Sequence, residues 1–310
     1  MGTDWRAGWT ALAGIGVTGL CVAERHGGVG RRVDAAVAAA QELGAALHGS
    51  PFAGVVASAH ALAAGADAIP AAADLLPLVL AGDAVCAFGR LGPDGRTARA
   101  VDGAPDADAL VVVDPARGRL VLLADRSSWH ATASPHRFDL TRTCADVAVH
   151  DVGAGAGLGD AADADRLHRL LLAADAAGCV RRMLDRTVAY AGQRHTFGKP
   201  IGATQAVQHR LVDHTVRARG MSLVVAEAAR LLAARAPDAS RFVAMAEVGV
   251  SSGALHILHD LLQLTGAIGF TWEYGLHLYE RRVHQDARLA ANPRAASLAL
   301  AEIEGWRDAG

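Results

Sequence analysis

At 310 residues the chain is long enough for one large domain or two to three modest ones, and its 52% hydrophobic and 20% charged residues describe a well-buried globular protein. A disordered or fibrous chain is excluded. The formal charge of −2 gives no electrostatic case for a nucleic-acid or anionic-membrane partner.

Nearly all the positive charge is arginine, since Lys199 is the only lysine. Cys21, Cys86, Cys144 and Cys179 are far apart with no C-x-x-C spacing, which argues against structural zinc and thioredoxin-type redox chemistry. Isolated cysteines fit a reducing cytoplasm. The N-terminus shows no charged-then-apolar signal pattern, and Gly, His, Arg or Asp interrupts the apolar stretches, so a soluble cytoplasmic protein with no membrane partner is expected.

In chain order, residues 1 to about 80 read as short helices. Trp5–Ala13 is amphipathic, and Asp34–Leu47 carries apolar positions at helical spacing behind an Asp cap. Phe52–Ala66 repeats the pattern. Between Ala81 and Val152 the period changes to that of strands. Leu110–Asp125 holds two β-branched runs joined by Pro-Ala-Arg-Gly, a hairpin signal, and Cys144–Val152 alternates as a further strand. Gly153–Asp160 reads as a glycine-rich linker. Helical patterns follow at about 162–192, 203–235, 238–265 and 274–290. Helices, then strands, then long helices exclude a doubly wound sheet, which needs strand and helix to alternate.

Two patterns have only bland readings. Gly14–Gly19 matches G-x-G-x-x-G literally, but no strand precedes it and no βαβ unit follows, so the match is chance. His209 and His214, and His256 and His259, could each begin a metal site. No carboxylate or cysteine cluster completes either pair, and they read as helix-surface histidines with no metal.

The informative tract is Arg194-His195-Thr196-Phe197-Gly198-Lys199-Pro200-Ile201-Gly202, followed by Ala203-Thr204-Gln205. It forms a helix–helix corner that can present a guanidinium for phosphate, an aromatic ring for stacking and an amide for a nucleotide's polar edge. A second tract runs from Gln263 through Gly266, Ala267 and Gly269 to Phe270, then Arg281-Arg282. Its glycines allow close backbone approach to an anion.

In this order the two tracts resemble the R-x-x-F-G-x-P-I-x-x-x-Q and Q-x-x-G-G-x-G-F motifs of the acyl-CoA dehydrogenase family. Val22–Gly30 is similar to the family's P-E-E-x-G-G-x-G tract, and Gln41–Gly44 to its E-E-L-G helix. The resemblance implies an α+β, mainly α fold: an N-terminal helical domain (1–80), a small central β-domain (81–152) and a C-terminal four-helix bundle (153–310). It also implies FAD between subunits of a homo-oligomer, or of a hetero-oligomer with a second acyl-CoA dehydrogenase chain, and is compatible with a flavoprotein electron acceptor. Arg194, Thr196, Phe197, Ile201, Thr204 and Gln205 would meet the FAD of a neighbouring subunit. Gln263, Gly266 and Ala267 would approach the same cofactor from its partner chain.

The implied reaction is α,β-desaturation of an acyl thioester, carried on CoA or on an acyl-carrier protein. A base takes the α-proton, and the β-hydride passes to flavin. Here the chain departs from the family. Ala267 replaces a glycine, the tracts that flank the flavin ring are absent, and Ala290 stands near the usual catalytic glutamate's place. A minority of the family carries that glutamate about 29 residues before the motif phenylalanine, which here is His168. A neutral imidazole in a dry pocket can abstract a proton, and Asp286 is a weaker candidate. Two other readings stay open: a non-catalytic or half-catalytic subunit of a heteromeric dehydrogenase, and a non-redox enzyme of secondary metabolism on the same fold.

Overall fold

The Ala-rich first segments form four helices, α1 (Arg6–Gly14), α2 (Val33–Ala45), α3 (Phe52–Gly65) and α4 (Pro70–Ala81), in the computed structural model. The structure describes residues 5–133, 138–290 and 293–306. Gly14–Gly19 falls on the end of α1 and a 3₁₀ turn, with no strand before it among the described residues. Asp34 is not a cap. It sits in the first turn of α2, where its charge complements the helix dipole. α3 is buried on nearly every face and forms the core of this half. Pro70 opens α4, and Gly82, in the left-handed region at φ 80°, closes it.

Strands β1 (Cys86–Arg90), β2 (Thr97–Asp102), β3 (Ala109–Asp114), β4 (Arg119–Leu123), β5 (Trp129–Ala133), β6 (Cys144–Val149) and β7 (Ala156–Leu158) follow. They make two sheets, ordered β1-β3-β4-β7 and β2-β6-β5. β3 and β4 form the expected antiparallel hairpin, paired from Leu110↔Leu123 to Asp114↔Arg119. Every residue of β3 is buried, which explains its unbroken apolar run.

The segment expected to be a flexible linker is different. β7 lies within it and pairs with β4, Leu120 opposite Leu158. A side chain at Gly155 would collide with Val121 and the Leu122 carbonyl. The glycine there serves close strand approach rather than flexibility. Asp160 then caps the next helix, accepting from the amides of Ala162 and Asp163.

The long helices are α5 (Ala161–Gln193), α6 (Gln205–Ala233), α7 (Ala239–Thr265) and α8 (Leu276–Ala290), with α9 (Pro293–Ile303) after them. The mainly helical α+β arrangement is the one expected. α5 packs against α2, α6, α7 and α8. Two glycines let α2 and α5 touch backbone to backbone: a Cβ on Gly44 would strike the Asp175 carbonyl, and one on Gly178 the Gln41 carbonyl. Contrary to the expectation from sequence, Ala239–Phe270 is long and apolar enough to cross a membrane. Half of its most apolar window is buried within this chain, against α5, α6, α8 and α9.

Candidate active site

His168 lies two turns into α5, only 5% exposed, where the helix passes behind β1. Its ring packs on Phe88 with centroids 4.7 Å apart and planes at 40°. With Phe88, Arg90, Arg99, Arg288 and Leu289 it lines a cleft of about 810 Å³. Asp165, one turn earlier, is gripped by Arg90 through two contacts of 2.8 Å. Arg169, at 3.2 Å, shares that carboxylate and also bonds Glu247 at 2.9 Å.

Burial pushes the His168 imidazole down to about 4. Asp165 opposes this, while Arg142, Arg169 and Arg90 act with the burial. The ring is therefore neutral near pH 7, and it makes no hydrogen bond to another described residue. A neutral imidazole with an uncommitted lone pair in a largely apolar cleft is suited to accept a proton.

Asp286 is unavailable for that role. It is 2% exposed, salt-bridged to Arg142, and absent from the cleft lining. Around it Arg142 also meets Asp102 (3.3 Å) and Asp175 (3.0 Å), and Arg282 meets Asp175 (3.1 Å) and the His48 carbonyl (2.7 Å). Burial raises the Asp286 carboxyl well above the ordinary range, against the pull of Arg142. Ala290 is buried beside Glu247, whose carboxyl burial also raises. The sequence reading missed Glu247, Arg90, Arg99, Arg288 and Phe88. Their spacing carries no motif, and only the fold gathers them.

The cofactor candidates lie elsewhere. Arg194 closes α5, and a tight hairpin of β8 (His195–Thr196) and β9 (Lys199–Pro200) holds Phe197 at its tip. Phe197 is fully exposed at φ 50°, followed by Gly198 at φ 81°. Thr196, Thr204 and Gln205 are exposed and Ile201 is half-buried. Gln263, Gly266 (φ 65°) and Ala267 are exposed at the end of α7. The Tyr190 hydroxyl donates to the Thr265 carbonyl at 3.4 Å, which brings the ends of α5 and α7 together. One chain thus presents both tracts at one end of the bundle.

Neither the Arg194 guanidinium nor the Phe197 ring has a partner among the described residues. An exposed guanidinium, a free aromatic face, open glycine backbone and two amides fit a ligand with phosphates and a ring system. His168 and Arg194 are 26 residues apart on one helix, roughly 39 Å along its axis at 1.5 Å per residue. One chain cannot offer both to a single cofactor.

The histidine pairs divide. His209, His256 and His259 are exposed, but His214 is 3% exposed with Nε2 2.6 Å from Asp260, because α6 packs on α7 at that point. It is a core histidine, not a surface one. Among the described residues no group of three or more His, Cys, Asp or Glu side chains is placed to hold a metal.

The family model for the acyl-CoA dehydrogenase C-terminal domain matches residues 155–291. Acyl-CoA dehydrogenase IpdE2 of Mycobacterium tuberculosis is 34% identical over 94% of this chain and 84% of its own length. Acyl-CoA dehydrogenase FadE34 of the same organism is 35% identical over 90% of this chain, which spans only 39% of that relative. Among solved structures, the Tcur3481-Tcur3483 steroid ACAD superposes with a TM-score of 0.85 at 24% identity, covering 98% of this chain and 90% of that one. The prolyl acyl carrier protein oxidase AnaB superposes with 0.84 at 17% identity, covering 97% and 90%. The chain belongs to the acyl-CoA dehydrogenase family of oxidoreductases.

Proposed function

We propose that the chain acts in FAD-dependent α,β-desaturation of an acyl thioester in the cytoplasm, with His168 as the base. The observation that carries this reading is a buried imidazole, kept neutral and without a hydrogen bond to another described residue, on the wall of an 810 Å³ cleft. The α-proton of a thioester is only weakly acidic, so its acceptor must be desolvated and close. His168 meets the first condition. The Asp165–Arg90–Arg169 cluster beside it fixes charge near the ring without hydrogen-bonding to it.

Bound FAD would supply the hydride acceptor. Arg194, Thr196, Phe197, Ile201, Thr204 and Gln205, with Gln263, Gly266 and Ala267, would hold the cofactor of a neighbouring subunit, as their shared exposed end supports. Electrons would leave to a flavoprotein acceptor. Anaerobic mixing of the flavin-loaded protein with acyl thioesters, followed by absorbance, tests the reading. Bleaching of the flavin band is expected, and no bleaching with any thioester, even with a partner chain added, rejects it.

One observation favours a second reading, a subunit of a hetero-oligomer. Alanine occupies position 290, so a dissimilar chain carrying an acid there could own the working cleft while this one lends Arg194 and Phe197. Co-purification of a flavin-bearing complex of two different chains, unaffected by His168→Ala, would establish it.

A further inference from the structure

α5 sets Asp165, His168 and Arg169 at spacings of three and four residues, so Asp165 is the helix-surface neighbour of both others. It is an acid among arginines. Around the His168 ring stand Arg90 from β1, Arg142 from the chain before β6 and Arg169 from α5 itself, and Arg99 of β2 and Arg288 of α8 line the same cleft. Two further acids are near. Asp94 lines the cleft from the turn after β1, where the amides of Arg96 and Thr97 donate to it at 3.0 Å each. Glu247 of α7 joins the group through Arg169, at 2.9 Å. Asp165 is the acid that acts most strongly on the ring.

Three elements fix the place of that carboxylate. Arg90 Nη1 lies 2.8 Å from each of its oxygens, and Arg169 Nε lies 3.2 Å from Oδ2. Arg169 is held in turn by Glu247, which is 3% exposed. β1, α5 and α7 therefore converge on one negative charge. It makes no hydrogen bond to the ring, so it acts across space and its position decides its effect.

Taking a proton turns the ring into a cation. The α-C–H bond of the substrate breaks, its electron pair stays on the substrate, and a new N–H bond forms on the imidazole. The surrounding guanidiniums oppose that new charge, and burial withholds water from it. A fixed carboxylate beside the ring offsets both effects. We propose that Asp165 is the positioning residue of this site: aimed by Arg90 and Arg169, its carboxylate is the counter-charge of the His168 imidazolium. The proposal rests on the base role of His168.

The test follows the His168 ring by NMR in the full-length protein carrying 13C-labelled histidine, with its resonance assigned by its loss in His168→Ala. Asp165→Asn should move the titration midpoint of the ring down and Arg90→Gln should move it up, each by about 0.5 or more in pH. Asp165→Glu, which keeps the charge, should bring the midpoint back toward the parent's. In turnover, Asp165→Asn should lose about ten-fold in kcat with KM within about two-fold of the parent's, and Asp165→Glu should recover most of the loss. A merely structural role would lower the melting temperature and leave the midpoint in place. An unmoved midpoint in Arg90→Gln overturns the proposal, as does movement of both variants in one direction. The Arg90 side chain is 37% exposed, so Arg90→Gln decides the matter if Asp165→Asn does not fold. The titration needs neither flavin nor thioester. Opposite shifts in a chain that never oxidises a thioester therefore uphold the counter-charge and reject only the proposed function.

Discussion

A histidine that stays neutral inside a fold couples acidity to stability as well as to chemistry. For His168 the folded value of about 4 lies below the ordinary 6.5, so between those two values the unfolded chain binds a proton that the folded chain refuses. Stability should therefore rise with pH across that window and level off above it, by roughly 3 kcal/mol in all. Asp102 acts with the opposite sign, because burial raises its carboxyl to about 6 and the folded state holds the extra proton. Other shifted carboxyls, Asp286, Glu247 and Asp163 among them, add their own slopes, so the His168 share has to be isolated by difference. It is best read as His168→Leu against parent, with urea unfolding at about pH 5 and about pH 7, and the variant should gain relative stability at the lower pH. In turnover, His168→Ala should lose about 10²–10⁴-fold, and the parent's rate should fall on the acid side only near its low imidazole value. Parental turnover in the variant would remove the assignment. Arg194→Ala should weaken flavin retention by about 1.5–3 kcal/mol, measured by ultrafiltration of the loaded protein. His168 and Arg194 were put forward from sequence because a fixed motif supplied the counting frame. Arg90 and Asp165 could not be, since 75 residues separate two side chains that only the β1–α5 packing unites.

At the scale of elements, the α2–α5 crossing carries the sharpest consequence. Gly44 and Gly178 sit where each helix meets the other's backbone, so a methyl group has no flexible side chain to displace. Gly178→Ala should force the helices apart and destabilise the protein by about 1–3 kcal/mol or more, which a urea titration will report. Gly192→Ala, on the same helix with nothing near its missing Cβ, should be neutral or slightly stabilising. The long helices were legible because their apolar period persists over many turns, and the β3–β4 hairpin because its turn residues interrupt two β-branched runs. β7 was not legible. Its small residues make no alternating pattern, and the glycine that lets it approach β4 reads as a linker in one dimension. His214 was misplaced for a related reason: the period shows that a helix has a buried face, but not which neighbour deepens it.

At the scale of the molecule, a buried cluster of Arg142, Arg282, Asp102, Asp139, Asp175 and Asp286 ties β2 and the chain before β6 to α5 and α8. Nothing in the sequence links these six positions. Arg142→Ala would leave carboxylates unpaired in the interior and should cost about 3–5 kcal/mol, seen as a lowered melting temperature or loss of soluble protein.

The length of α5 has a genetic consequence. Because it sets His168 and Arg194 at opposite ends, the proposed assignments require lesions at the two positions to damage different composite sites in an oligomer of identical chains. Mixing His168→Ala chains with Arg194→Ala chains should then restore activity that neither possesses alone. Each mixed dimer brings an intact cleft to an intact partner tract once, and random pairing should return about a quarter of parental turnover. If the natural partner is a different chain, the same mixture should stay inactive, and rescue would come only from adding that partner. The mixing experiment reads the stoichiometry of the working site from the geometry of one helix.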